Sequence, residues 1–459
     1  MAGIGFVLRR LTKRGDLGGT VEAYMHAVFA SSGPWILTIM TVWIFYFVGS
    51  YWRLAEYVEE FRVIILYNFS FSLALTAPLT MLTTRVLADD FYHMRVTRVS
   101  NMLIGALTIQ LVGSFIVAAL FYGLVTEMSL MMKLLAIINF VLISGIWLSM
   151  VFISSIKYYS TITTSFVIGM TLAVFLAYFF SGFMGAIGLL FGFSCGLGVI
   201  LSSFIGVILA EYPPQEGKIF FFVKYFKKYW RVVLMGSCYN VGIWVDKWIM
   251  WFSPERRELP NHLIIYPEYD MSLFIAYLTI IPALALFLVR QETSFFEVYV
   301  SYYRGILQHN PFHKIHKNFN DIIENLMKNG RSVLILQGGI CVFCVLLAPT
   351  IMTVLGLNLV QIGIFRFGVM GATFQILSLF WIIILSYFDH RTGALSIAIT
   401  FLVSNVVFTL ITLQLGFAYY GYGYFCSTVL TFIVASVVAE RYIRNLTYHT
   451  FVTRNIAYS

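Results

Sequence analysis

Uninterrupted stretches of about 20 apolar residues recur along this chain, separated by short polar breaks, and nothing else in the sequence limits its fold so strongly. Each stretch is long enough to cross a hydrocarbon core of about 30 Å as a helix. Lipid offers backbone N–H and C=O groups no partner, so a crossing segment must satisfy itself as a helix or join a closed barrel. A barrel would show segments of about ten residues with alternating polarity, and no such alternation runs through this sequence. Composition agrees: 60% of the residues are hydrophobic and 11% charged, against about a quarter charged in a soluble domain. The expected fold class is an all-α membrane protein.

The runs predict helices over 28–50, 63–84, 100–124, 134–156, 163–181 and 185–210, then over 231–252, 270–290, 332–354, 363–387, 393–415 and 418–440. About twelve spans place both termini on one side, and the positive-inside rule makes that side the cytoplasm. With that placement only Arg53, Arg62, Lys133, Arg256 and Arg257 fall outside, and Lys247 and Arg366 within spans, of the 30 Lys and Arg. Moving the count by one span would exchange many loop sides and spoil the asymmetry. The basic N-terminal stretch, with Arg9, Arg10, Lys13 and Arg14, precedes an apolar run longer than a signal peptide and without a small-residue cleavage site. That run is expected to stay attached as the first helix.

The expected organisation is an N-terminal lobe over 1–210, a cytoplasmic connector over 211–230 carrying Lys224, Lys227 and Lys228, and a C-terminal lobe over 231–459. Within the second lobe, 291–331 holds two apolar series at helical spacing, one from Phe295 to Ile306 and one from Ile315 to Leu326, separated by Asn310 and Pro311. Two short helices lying at the inner surface are expected there. Arg304, Lys314 and Lys317 join the three connector lysines as candidates for docking a cytoplasmic partner; interfacial anchoring is the plainer alternative. Pro34, Pro78 and Pro282 are hinge candidates. Pro78 and Pro282 occupy corresponding second helices if six helices repeat, each ahead of an arginine, Arg85 and Arg290; kinks that merely fit the packing are the other reading.

The net charge of +9 is spread over loops rather than gathered on a polar domain, which fits membrane orientation and not nucleic acid. Cys341 and Cys344 form a C-x-x-C, but no second pair or histidine cluster accompanies them, so buried thiols are expected rather than a metal or redox site. His309, His313 and His316 straddle Pro311 without nearby acids and are expected to face solvent or headgroups. No phosphate-binding G-x-x-x-x-G-K-[ST], no H-E-x-x-H and no G-x-S-x-G occurs. No catalytic residue and no cofactor is therefore assigned.

Charges inside spans are costly, about 2.5 to 3.5 kcal/mol each at a helix centre on insertion scales. Asp246 and Lys247 are consecutive on the seventh span and Arg366 lies on the tenth. Neighbours on a helix project about 100° apart, so Asp246 and Lys247 are expected to need separate partners or one shared watery cavity, with Arg366 a candidate partner for Asp246. Structural pairing or snorkelling is the alternative to a translocation cavity. Asn68, Asn139, Asn240, Gln337, Gln375 and Asn405 also fall within spans; of these Asn68, Asn240 and Gln375 join Asp246, Lys247 and Arg366 as cavity candidates. Amides equally serve to bridge helices.

Four strings, Met1-Ala2-Gly3-Ile4-Gly5-Phe6, Ser31-Ser32-Gly33-Pro34-Trp35, the stretch from Gly242 to Trp248 and the stretch from Leu278 to Thr293, together make the chain similar to the PelG family, the inner-membrane transport components of Pel exopolysaccharide systems. Val7 stands where that family carries an acidic residue, a departure that touches no transport role. The resemblance implies a fold of the multidrug/oligosaccharidyl-lipid/polysaccharide flippase superfamily, two six-helix lobes around a central cavity. It also implies a bacterial inner-membrane location and a substrate, the Pel polysaccharide, an amino-sugar polymer rich in N-acetylgalactosamine. Its implied partners are a PelF-like cytoplasmic glycosyltransferase, PelD-like and PelE-like membrane companions and membrane lipids.

The favoured expectation is a transporter that takes a growing polymer from a docked synthase. An exporter of small molecules or lipid-linked oligosaccharides driven by an ion gradient uses the same fold class. A membrane-embedded enzyme would need an acid or histidine placed for chemistry, and the helix interiors offer only Asp246. A scaffold that assembles a synthase would use the charged inner loops.

Overall fold

The computed structural model describes residues 55–156 and 159–453. The expected span over 28–50, its hinge candidate Pro34 and the placement of the N-terminus lie outside them. The chain divides into two compact units, the first comprising residues 55–244 and Pro254–Ile265, the second Val245–Ser253 and the chain from Tyr266 onward.

The first unit contains α1 (Ala55–Tyr92), α2 (Val99–Leu124), α3 (Leu130–Ile156), α4 (Tyr159–Met184), α5 (Ala186–Glu211) and the opening part of α6 (Tyr225–Met250). It also holds a short antiparallel pair, β1 (Arg257–Glu258) and β2 (Ile264–Ile265), with Arg257 opposite Ile265. Helix α3 packs on α1, α2 and α5, and α4 packs on α5. That last pair is the closest in the unit because its facing residues are small. Gly169, Ala173 and Ala177 on α4 meet Gly192 and Gly196 on α5, Gly188 lies against the Phe180 backbone, and a Cβ built on Gly192 would overlap the Ala177 backbone nitrogen. Small residues every fourth position let backbones approach where no hydrophobic force between helices exists. Gly185, at φ 57°, makes the reversal between the two helices, a conformation glycine adopts without penalty.

The second unit contains the end of α6, then α7 (Pro267–Leu278), α8 (Ile281–Arg290), α9 (Phe296–Leu307), α10 (Phe312–Leu346), α11 (Ala348–Val354), α12 (Ile362–Tyr387), α13 (Arg391–Leu415), α14 (Tyr422–Arg444) and the short α15 (Leu446–Tyr448). Helix α12 packs on α7, α10 and α14, and α13 packs on α14. Taken in chain order this repeats the pairings of the first unit, so the matched prolines belong to two copies of one packing plan. Pro78 sits inside α1. Pro282 lies in the first turn of α8, directly after the helix breaks at Thr279 and Ile280. A proline there has no N–H to donate to the preceding turn.

Ten helices among the described residues are long and apolar enough to cross a membrane, and the chain is a multi-pass membrane protein. The span expected over 231–252 forms as α6 but is not among the ten; Asn240, Asp246 and Lys247 make it more polar than the rest.

The segment 291–331 departs from expectation. Its break falls at Asn310–Pro311, but the flanking runs are not separate short helices. A single π-turn over Gln291–Phe295 carries α8 on into α9, while α10 starts after Pro311 and continues unbroken to Leu346. No proline interrupts either arm, so the arms are the ends of long helices joined as a hairpin.

Candidate functional site

Helix α6 delivers two charges to the interior of the second unit in its last turn. Asp246 is fully buried and Lys247 is 5% exposed. Lys247 Nζ lies 3.2 Å from Asp246 Oδ1 and 3.3 Å from Oδ2. The expectation of separate partners is thereby corrected: the 100° offset holds at the Cβ atoms, but four methylenes let the lysine head fold back onto its neighbour. A cation in the last turn of a helix is also favoured by the carbonyl ends exposed there. Arg366 does not supply the counter-charge; it donates from Nε to the Val345 carbonyl at 3.1 Å.

Around the pair stands an aromatic and acidic shell. Tyr269 on α7 donates its hydroxyl to Asp246 Oδ2 at 3.2 Å. The lysine ammonium lies 4.6 Å from the ring centre of Tyr277 and 6.0 Å from that of Tyr424, within the range of cation–π attraction. Tyr424 in turn donates to Gln375 Oε1, which ties that cavity candidate on α12 to the cluster. Gly371, one turn before Gln375, leaves room for the Tyr424 ring. A second acid, Asp270, accepts from Trp251 Nε1 at 2.9 Å through Oδ2, while its buried Oδ1 has no hydrogen-bond partner among the described residues. The arrangement can hold one ammonium between a carboxylate and two ring faces, with a further carboxylate oxygen in reserve.

Asn68 and Asn240 belong to the first unit. Asn68 belongs to a satisfied network inside the first unit: its amide donates to Ala136 O and Asn139 Oδ1, and Tyr122 donates to its Oδ1 at 2.6 Å. Asn139 continues the chain to Ser194. These bonds join α1, α2, α3 and α5, the helix-bridging role open to buried amides. Asn240 donates to Gly236 O of its own helix.

Among the docking candidates, Arg304, Lys314, Lys317 and Lys227 are exposed. Lys224 and Lys228 are exposed too but stand over tyrosine rings, Lys224 at 5.2 Å from Tyr225 and Lys228 at 4.8 Å from Tyr229. Hydrogen bonding with Tyr229 pushes the Lys228 ammonium above the ordinary lysine value. Beside the β pair, hydrogen bonding to Glu258, reinforced by the charge of Glu127, raises the His262 imidazole above its usual value. No group of metal-ligand residues occurs among the described residues.

A protein-family model described as "PelG: Putative exopolysaccharide Exporter (EPS-E)" matches residues 1–451. The chain belongs to the PelG family. No curated protein matches it. Among solved structures it is similar to a transporter of the MOP superfamily from Pyrococcus furiosus, at 13% identity over 92% of this chain and 96% of that one, with a TM-score of 0.62. It is similar also to a mutant form of the MATE transporter VcmN of Vibrio cholerae, at 11% identity over 96% and 97%, TM-score 0.63. A multidrug resistance MATE transporter of the MOP superfamily, in an outward-facing conformation, matches at 14% identity over 92% and 96%, TM-score 0.62. Membership of the PelG family thus comes with a MATE-like transporter fold, and membrane transport is the activity class.

Sequence reading missed Asp270, Tyr269, Trp251, Tyr277 and Tyr424. The first two open a helix immediately after Pro267, where a start of the span at 270 put them at its edge. The tyrosines carry no spacing that separates a cage from an interfacial belt, so only their convergence identifies them.

Proposed function

We propose that this chain exports an amino-sugar exopolysaccharide of the Pel type across the bacterial inner membrane and works as a transporter, not as an enzyme. A PelF-like cytoplasmic glycosyltransferase hands over the growing polymer, and PelD-like and PelE-like membrane proteins complete the assembly. The observation that carries this reading is the match of an exporter family along 1–451 of a chain with a transporter fold. The buried Asp246–Lys247 pair with its tyrosines supports a role for α6 and α7 in passage, since aromatic faces and a lone carboxylate suit a sugar chain bearing amino groups. Polymer growth drives movement.

The fully buried Asp246, with the half-buried Asp270 whose Oδ1 is shielded from solvent, favours a second reading, export driven by an ion gradient. One assay separates the two. The purified chain is reconstituted with its synthase in sealed vesicles, and labelled polymer protected from added glycosidase is measured with and without a protonophore. Protected polymer in both conditions is the expected result. Polymer that is made but remains wholly digestible overturns transport, and protection lost with the protonophore or in Asp246→Asn transfers the case to gradient coupling.

A further inference from the structure

Helices α8 and α10 of the second unit leave an open groove of about 560 Å³ between them, lined by Pro282, Ala285, Leu286 and Arg290 on one side and by Ser332, Ile335 and Leu336 on the other. The volume lies in the range of small-ligand sites, about 300 to 1,000 Å³. Its lining is divided along its length. From Pro282 to Leu286 and at Ile335 and Leu336 the walls are apolar, and at the far end two polar groups meet, Arg290 Nη1 donating to Ser332 Oγ at 2.7 Å. Among the described residues Arg290 pairs with no carboxylate. A guanidinium offers five donors in a fork, and one neutral hydroxyl leaves most of that capacity unused.

The position along the helix adds a second constraint. The apolar run of α8 stops at Arg290 and is followed by Gln291, Glu292, Thr293 and Ser294, while exposed Lys328 and Arg331 lie within a turn of Ser332 on α10. That change from apolar to polar marks the depth of a membrane interface, where long basic side chains place their charges. We propose that the groove binds one anionic phospholipid, its acyl chain lying along Pro282, Ala285 and Leu286 and its phosphate on Arg290. A free anion would have no use for the apolar length, and an uncharged amphiphile no use for the guanidinium. Basic pockets between membrane helices recognise acidic headgroups by this division of labour. The occupant would lie against Pro282, which follows the break at Thr279 and Ile280, and so brace that hinge candidate.

The test uses the purified full chain, stripped of lipid by detergent exchange and titrated with phosphatidylglycerol or phosphatidylcholine under native mass spectrometry. The expected result is one phosphatidylglycerol bound at least about tenfold more tightly than phosphatidylcholine, which presents the same phosphate but carries a choline ammonium that repels the guanidinium and cancels the headgroup's net charge. Arg290→Gln should abolish that preference, and Ile335→Trp, which fills the groove from an exposed rim, should lower affinity for both lipids. Ser332→Ala should keep the preference because the charge remains. Equal binding of the two lipids, unchanged selectivity in Arg290→Gln, or displacement of phosphatidylglycerol by equimolar glycerol 1-phosphate would each overturn the assignment. If Arg290→Gln fails to fold, Ile335→Trp decides: unaltered affinity there removes the groove as the site.

Discussion

Lys247 shows how far a single side chain can depart from what its place on a helix suggests. Its Cβ points about 100° away from that of Asp246, yet its ammonium lies 3.2 Å from the Asp246 carboxylate and under the ring of Tyr277. Removing both charges from water is expensive, and the pair is tolerated because the cation, the carboxylate and the Tyr269 hydroxyl satisfy one another. Breaking such a pair from one side should cost about 3 to 5 kcal/mol, because the remaining charge stays buried without its partner. Lys247→Met should therefore unfold at clearly lower temperature than the parent in detergent. The double variant Asp246→Asn/Lys247→Met should recover much of that loss, since asparagine still accepts from Tyr269. A double variant less stable than the single one would show that the pair is not held by mutual neutralisation.

At the scale of helices, close approach between α4 and α5 rests on residues with no side chain to interpose. Gly192→Val should cost about 1 to 3 kcal/mol or more through overpacking against the Ala177 backbone. Gly198→Ala on the same helix, with nothing within 4 Å of the added carbon, should cost nothing. Unfolding midpoints in a common detergent compare the two, and equal effects would mean that the small-residue face does not set the spacing. In sequence Gly188, Gly192 and Gly196 were passed over, because small residues at intervals of four show their use only once the facing helix is known, whereas helix existence was legible at once from apolar length. The long arms around Pro311 were not. A sequence shows where a helix must stop, as at Asn310–Pro311, but an interfacial helix and the continuation of a spanning one share the same apolar period. The break at Thr279 and Ile280 was legible only through Pro282. The buried cluster was legible in its charges and hidden in its tyrosines, because a tyrosine in a cage and one in a membrane belt look alike in sequence.

For the whole molecule, the same helix pairings recur in each unit, and the long arms are what the second unit adds. Helix α10 has 35 residues, about 52 Å of helix at 1.5 Å per residue, and a hydrocarbon core takes about 30 Å of it. The remainder, with α9, carries Arg304, Lys314 and Lys317 exposed. Lys224 and Lys228 of the first unit are engaged with tyrosine rings instead, so the two basic sets should not contribute equally to capture of the proposed glycosyltransferase. Charges at the rim of an interface act on the association rate and its salt dependence more than on final affinity. Reversal of Arg304, Lys314 and Lys317 to glutamate should slow association about tenfold at low salt and flatten its ionic-strength dependence, with membrane insertion unchanged. Reversal of Lys224, Lys227 and Lys228 should slow it less, since two of these ammonium groups are already held by rings. Surface-immobilised transporter in lipid discs and soluble partner give both rates directly. Identical rates for the parent and the hairpin variant across salt would remove the hairpin as the docking element, and a larger effect from the lysines of the first unit would move the contact there.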